Sequence, residues 1–359
     1  MTDFANDILK TGLDGLPIYR RLHRKRDGRD LWLYGYQPHR EAPLAEDDFE
    51  VAKGGELRFH PFDQEWNLYA PHRQNRTFKP SAAEDPLAPS RPGSPPTEIP
   101  FEDFEVAIFE NKFTSLHREA PTPMDVPGTE GRVAKGHCDV VVYTSAQEGN
   151  LWSVGQDRRR LLLAAWNDRY EALFEGGAEF VMPFESRGEP VGVTLHHPHG
   201  QIYAFPHIPQ NQRRMLDAFE AGYDLASETK AWDDYKVCSA GGLRAICPPF
   251  ARFPFEVWVI PDRPVRGPWE FDSTELDGFA HLIGDLTRRY DEYFQGPTAY
   301  MLGLHAAPRS ASDWQFSARF YPLLRAPGRV KYLASVEQHT GVFTVDVMPE
   351  FAAQTLRAL

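Results

Sequence analysis

The sequence predicts an α+β protein in which antiparallel sheets carry helices packed against them. Three observations lead there. Short runs rich in β-branched and aromatic residues, CDVVVYT at 138–144 and FPFEVWVI at 253–260 among them, read as strands. Two longer stretches repeat apolar residues at helical spacing. The order strand, helix, strand, strand then occurs twice, which suggests two halves of like build, residues 1–208 and 209–359, although no close sequence repeat accompanies them.

FEVAIFENKF, at 104–113, supplies one strand between two loops. The loop before it, residues 80–100, holds seven prolines, and each fixes φ and removes a backbone donor. That segment is a stiff connector, neither regular helix nor central strand. The loop after it, residues 120–131, is also rich in Pro and Gly, and loops of such length inside a compact domain serve a site or an interface. CDVVVYT follows as a buried strand, and Leu162, Trp166, Tyr170, Leu173 and Phe174 mark a helix. FVMPFES (180–186) and VGVTLHH (191–197) read as paired strands about a turn at Gly188.

In the second half FPFEVWVI leads into a helix over 272–294. Asp272 with Glu275 forms a capping-box pattern there, and Leu276, Phe279, Ile283, Leu286, Tyr290 and Phe294 line one face. WQFSARFYP (314–322) and VFTVDVMP (342–349) complete the half as strands.

Composition narrows the function. Against 51 Asp and Glu stand 39 Lys and Arg, a formal charge of −12, which excludes a generic binder of nucleic acid or anionic membrane. The longest strongly apolar stretch, 161–166, is far too short to span a bilayer. The start, MTDFANDILK, has no apolar run behind a basic end, and the three cysteines, Cys138, Cys238 and Cys247, form neither C-x-x-C nor a disulfide-dense pattern. The expectation is a cytoplasmic protein.

The chemistry concentrates in Leu195-His196-His197-Pro198-His199-Gly200-Gln201. Pro198 stiffens the segment and Gly200 allows close backbone approach. In an extended chain His197 and His199 share a side, so a ligand would meet two imidazoles and then Gln201. Histidine spacing by itself leaves a metal site, a satisfied polar strand end and chance open.

The string H-P-H-G-Q resembles the motif of galactose-1-phosphate uridylyltransferases, members of the histidine triad superfamily, in which glutamine stands where the superfamily's hydrolases carry a third histidine. The likeness runs from about Trp66 to Phe351. Phe184-Glu185-Ser186-Arg187-Gly188 resembles the family's F-E-N-[KR]-G, and Gly192 keeps its spacing before the histidines. Pro71-His72-Arg73-Gln74-Asn75-Arg76 resembles a basic motif that reaches nucleotide phosphates. Phe109-Glu110-Asn111-Lys112-Phe113 is similar to a nucleotide-binding strand end, Phe253-Pro254-Phe255-Glu256 to W-P-[FY]-E, and Lys331-Tyr332 with Glu337 to K-F…E.

The resemblance implies two histidine-triad-like halves, each an antiparallel sheet with packed helices. It implies a nucleophile at His199, a donor to a phosphate oxygen at Gln201, and a supporting His197. Arg73, Arg76 and Arg187 are expected to neutralise phosphates, with Asn111, Lys112, Ser186, Gly192 and Thr194 also on the nucleotide. Lys331, Tyr332 and Glu337 are expected to reach the hexose from a neighbouring subunit, which makes the protein a homodimer. The substrates implied are a UDP-sugar and a sugar 1-phosphate. The alternatives are a related transferase or phosphorylase for another sugar 1-phosphate or nucleotide, a histidine triad hydrolase, and a non-catalytic nucleotide-binding scaffold.

The chain departs from the pattern at the metals. Many members build a zinc site from C-x-x-C, a later histidine and the first histidine of H-P-H; here Asp85, Ala88 and Gln147 stand at the first three positions and only His197 remains. Alanine has no donor, and structural zinc wants four nitrogen or sulfur ligands. At a second, iron-type site His305 is kept, Ser317 and Arg319 replace H-x-H, and Met215 falls near a glutamate. Both sites are expected lost, with no cofactor; whether the permanent positive charge of Arg319 stands in for the second metal is left open. Phe343 or a neighbour stands where members carry a hexose-binding glutamine, which bears on which sugar is taken.

Overall fold

A computed structural model describes residues 6–9, 16–75, 80–81 and 84–359. The first half contributes β1 (Asp7–Leu9), β2 (Ile18–Arg24), β3 (Asp30–Gly35), β4 (Glu56–His60), β5 (Glu65–Tyr69), β6 (Val106–Glu110), β7 (Gly131–Val133) and β8 (His137–Val142). Helix α1 (Gly155–Glu175), β9 (Phe180–Arg187) and β10 (His199–Phe205) follow. Helices α2 (Gln210–Glu220) and α3 (Leu225–Glu228) lead into β11 (Lys236–Ala240), β12 (Leu243–Ile246), β13 (Val257–Pro261), α4 (Ser273–Tyr293), β14 (Tyr300–His305) and β15 (Ser317–Pro322). The chain ends with β16 (Leu324–Ala326), β17 (Arg329–Val330), α5 (Ser335–Thr340) and α6 (Pro349–Arg357).

Twelve strands form one sheet in the order β1-β2-β3-β6-β8-β10-β9-β14-β15-β13-β12-β11, every neighbouring pair antiparallel. The duplication expected from element order is visible in its topology. In each half a strand, a helix and two strands run in sequence, and the last strand lies between the other two: β8-β10-β9 and β13-β15-β14. The two copies meet edge to edge, Leu302 opposite Glu185 and Tyr300 opposite Arg187. Glu185, fully buried at this junction, accepts hydrogen bonds from Tyr143 Oη at 2.6 Å and Tyr300 Oη at 2.9 Å.

Side-chain alternation builds the two faces. In β6 and β8, Val106, Ile108 and Val141 point to the helices, where they join Leu161–Trp166 of α1 and Phe279, Ile283 and Leu286 of α4. Ala107, Phe109, Val140 and Val142 point the other way and pack on Leu87, Ile99, Phe101 and Phe104. The proline-rich connector is thus the cover of the second face. Helices α1 and α4 are tied by Arg159, whose Nε donates to the Ala280 carbonyl at 2.6 Å, and an added Cβ at Gly284 would lie 2.6 Å from the Arg159 guanidinium carbon.

Two strand expectations fail. Residues 191–197 are not a strand: a 3-10 turn, Glu189–Val191, ends at Gly192 with φ of 81°, and Pro198, which has no N–H to donate, precedes the true strand β10. The histidines therefore open a strand instead of closing one. Residues 342–349 alternate as a strand would, with Phe343, Val345 and Val347 half-buried between exposed neighbours, but they pair with no described strand and stay irregular up to Pro349, which starts α6. The expected helix over 272–294 is α4, and both reciprocal bonds of its capping box form, Glu275 N to Asp272 Oδ1 at 2.8 Å and Asp272 N to Glu275 Oε2 at 3.0 Å. Asp272→Ala should lower unfolding stability by about 1 kcal/mol. Urea denaturation with an unchanged slope and a lowered midpoint is the expected reading; an unchanged midpoint would refute the role of the cap.

Candidate active site

Strand β10 sets the site. Gly200, Ile202 and Ala204 are buried, the last two among the helices, which puts His199 and Gln201 on the connector face. An added Cβ at Gly200 would lie 2.8 Å from the Phe184 carbonyl oxygen, so only glycine allows this closeness to β9.

His199 and Gln201 line a cavity of about 110 Å³ together with Arg73, Asn111, Lys112 and Thr194. Six of the expected residues are therefore brought to one place. Leu87, Phe109, Val140 and Leu195 give it an apolar wall. Arg73 stands between this slot and an open basin lined by Leu68, Tyr69 and Ser115.

Each polar group is held. His199 Nδ1 lies 2.7 Å from the His197 carbonyl oxygen. A carbonyl only accepts, so Nδ1 carries the proton and the lone pair of the neutral ring is on Nε2. Burial lowers the His199 pKa, with the neighbouring His197 ring adding to the effect while the bond to the His197 carbonyl and Asp85 oppose it; the net shift is down, toward the neutral ring. Arg73 Nη1 donates to the Phe113 carbonyl at 2.7 Å, and His72 Nε2 to Thr114 O at 2.8 Å, which fixes the 3-10 turn Pro71–Asn75. Asn111 Oδ1 accepts from Phe113 N at 2.8 Å and turns the chain after β6.

Beneath the cavity Glu98 gathers three cations: Lys25 at 2.8 Å, Arg29 at 2.7 Å and Lys112 at 2.7 Å. Burial raises its pKa, but Arg29, Lys25 and Lys112 outweigh this and leave the carboxylate well below its ordinary range. Asp27, 2.6 Å from Arg29, is a second anion of the cluster, and on the lining of the cavity itself two cations, Arg73 and Lys112, stand against one carboxylate, Glu98. Such a wall suits a phosphate-bearing ligand.

The remaining expected residues lie elsewhere. His197 does not face the cavity: it is buried, with Nδ1 2.7 Å from Asp85 Oδ2 and Nε2 2.8 Å from the Thr144 carbonyl. A ligand meets one imidazole, because the segment before β10 is not extended strand and the two rings do not alternate as a strand would place them. Arg187 holds Asp291 through both terminal nitrogens, at 2.7 and 2.9 Å, so its fork is already filled by a carboxylate. Ser186 sits in the β9–β14 ladder opposite Met301, and Gly192 is exposed at its turn. Lys331 Nζ and Glu337 Oε1 pair at 2.5 Å, and Tyr332 is 79% exposed; none of the three lines the His199 cavity of its own chain. Arg76 lies outside the described residues.

Neither metal position has a fitting donor set. At the first, both His197 nitrogens are engaged and Ala88 offers nothing. At the second, Arg319 Nε donates to Ser317 Oγ at 3.0 Å and its guanidinium stacks 3.8 Å from the Trp258 ring centre. Burial, then Arg319 and Arg252, depress the His305 pKa far below normal, so a fixed cation sits beside this histidine. Met215 packs among Leu216, Ala307 and Trp314.

Family models for the galactose-1-phosphate uridyl transferase N-terminal and C-terminal domains match residues 47–209 and 227–359. The chain belongs to the galactose-1-phosphate uridylyltransferase family. It is 32% identical to the galactose-1-phosphate uridylyltransferase of Thermotoga maritima, over 84% of this chain and 98% of that one. The Streptomyces lividans protein of the same name is 29% identical over 99% of this chain and 93% of its own. A solved uridylyltransferase structure superposes with a TM-score of 0.76 at 26% identity, covering 84% of this chain and 97% of that one. An ADP-glucose phosphorylase from Arabidopsis thaliana, at a TM-score of 0.64 and 20% identity over 84% of this chain and 98% of that one, shares the fold.

Sequence reading missed Glu98 and the contact of Asp85. The signal for the second was available, since Asp85 stands where the resembling pattern has a cysteine that shares a metal with His197, and an acid so placed is a natural partner for that ring. Removing Glu98 would leave buried cations uncompensated, and Glu98→Ala should cost about 3–5 kcal/mol of unfolding stability in urea titrations. A loss under about 1 kcal/mol, the range of an exposed pair, would show that the cluster is not buried as described.

Proposed function

We propose that this chain moves a uridylyl group between a UDP-sugar and a sugar 1-phosphate through a covalent intermediate on His199. The observation that carries the reading is the pinned nucleophile: Nδ1 is committed to the His197 carbonyl, so Nε2 is the free lone pair, on the wall of a cationic cavity beside Gln201. In the first half-reaction Nε2 bonds to the α-phosphorus and the bond to the sugar phosphate oxygen breaks. Sugar 1-phosphate leaves as a stable anion and needs little protonation. The ring becomes cationic, and its Nδ1–H donates to the His197 carbonyl more strongly in that form. In the second half-reaction an oxygen of the incoming sugar 1-phosphate attacks phosphorus and the P–N bond breaks, which restores the neutral ring.

Gln201 donates its amide to a non-bridging oxygen, and Arg73 and Lys112 neutralise the phosphates. Leu87, Phe109 and Leu195 take the flat face of the base. In this reading the enzyme holds neither zinc nor iron, the division into two halves near residue 208 is functional, and a homodimer brings Lys331, Tyr332 and Glu337 of one copy to the hexose of the other. The exposed run Tyr332, Leu333, Val336 and Val342 supports that last step. Three unpaired cysteines suit a reducing cytoplasm.

A second reading concerns the sugar. Phe343 lies 6.0 Å from the Phe253 ring and 4.8 Å under the Arg252 guanidinium, and it or a neighbour stands where the resemblance puts a hexose-binding glutamine. This favours a hexose 1-phosphate other than galactose 1-phosphate, and an isotope-exchange panel of sugar 1-phosphates separates the two.

Incubation with UDP-glucose and a quench that avoids acid should leave one uridylyl group on His199 by mass spectrometry, and His199→Gly should abolish exchange. No adduct with any nucleotide sugar would sink the covalent reading. Elemental analysis of the purified protein should find no stoichiometric metal; one zinc per chain would overturn the metal-free reading. The pH dependence has a definite sign. A depressed pKa keeps His199 neutral below the ordinary 6.5, so single-turnover uridylylation by UDP-glucose should stay level through pH 6.5 and fall only at more acid pH, as the ring gains a proton. A half-point at or above 6.5 would contradict the shift.

A further inference from the structure

Asp85 lies inside the proline-rich connector, 112 residues from the histidine it touches. Its Oδ2 stands 2.7 Å from His197 Nδ1, and its Oδ1 accepts from Leu87 N at 3.0 Å. The His197 side chain is wholly buried and that of Asp85 is 9% exposed. His197 Nε2 meets the Thr144 carbonyl at 2.8 Å, on the chain just past β8. Asp85 and Thr144 each meet one ring nitrogen, so the plane of the ring is set from two separate segments. The carbonyl of this same His197 receives His199 Nδ1 at 2.7 Å, and Pro198 between them has no φ freedom.

The geometry points to Asp85 as the positioning residue of the nucleophile. Its carboxylate fixes the His197 ring, the fixed ring places the His197 carbonyl, and that carbonyl sets the tautomer and direction of His199. The reaction needs Nε2 in line with the breaking P–O bond, and a displacement of the order of 1 Å costs about 10²-fold in rate. The inference rests on His199 as nucleophile, but the tautomer it predicts is a property of the free enzyme. Asp85 touches no substrate group in this scheme and bears on rate, not on binding.

The test compares wild type, Asp85→Asn, Asp85→Ala and Asp85→Glu as full-length proteins. Nitrogen-15 NMR of labelled histidines should show wild-type His199 with a protonated Nδ1 and an unprotonated Nε2. In D85A and D85N that signature should give way to a mixture of tautomers, and D85E should recover it in part. Single-turnover uridylylation at saturating UDP-glucose should slow on the order of 10²-fold in D85N, with KM changed less than about 3-fold and the final adduct still one per chain. Asn keeps the size of Asp, so D85N decides the matter if D85A does not fold. Wild-type tautomer and rate in D85N would overturn the inference, as would a slower rate matched only by a smaller adduct amplitude, the mark of partial unfolding. If wild type forms no adduct, the covalent reading fails, while the nitrogen spectra still decide whether Asp85 sets His199.

Discussion

The hydrogen bond from His199 Nδ1 to the carbonyl two residues back is the constraint on which the site depends. It exists only if the chain turns sharply before β10, and Pro198 and the absence of strand over 193–198 provide that turn. Once made, it decides which nitrogen carries the lone pair, a choice that a free imidazole leaves open. Every other element near it holds one end of this bond. Gly200 lets β10 close on β9, β8 brings Thr144 to His197, and the connector brings Asp85 to the same ring.

The duplicated topology sets the His199 strand beside a counterpart in the second half. Strand β15 occupies in the second half the place of β10 in the first, between the other two strands of its unit. Each opens on a polar residue followed two positions later by another: His199 and Gln201 in β10, Ser317 and Arg319 in β15. Ser317 is fully buried and Arg319 stacks on Trp258, so the second pair is closed off by its own protein where the first faces a cavity. The covers differ accordingly. The first half has the connector with its carboxylates over the sheet, and the second has Phe219, packed toward Trp258 of β13, and Trp314 with their neighbours.

What could be read from the sequence was local. The helix at α4, the strands at β6 and β8, and the shared face of His199 and Gln201 follow from periodicity and from a five-residue motif, and six of the residues the resemblance named line one cavity. What escaped was decided by partners distant in the chain. The strand expected over 191–197 looked sound because Val, Thr and Leu favour strands, but two glycines at positive φ, Gly188 and Gly192, and a proline broke it. Arg187 read as a phosphate ligand because its spacing was right, yet Asp291, 104 residues away, had already claimed its fork. The joining of two sheets into one through β9 and β14 leaves no local mark at all.

The connector shows why a proline-rich segment suits this task. It cannot pair its backbone as a strand, so it must be held through side chains, and it is held by Leu87 and Ile99 in the core and by Asp85 and Glu98 in ion pairs. Proline limits the conformations of the unfolded chain, so ordering the segment costs less entropy than its length suggests. Buried ion pairs are poor sources of net stability, because desolvation offsets much of their attraction. Their value lies in direction: a carboxylate accepts only where donors point, and a stiff backbone holds it there. Asp85 and Glu98 each put that directional hold on a group beside the His199 cavity, one on the His197 ring and one on Lys112. The stability of the cover comes from its apolar side chains, and the geometry of the site from its two acids.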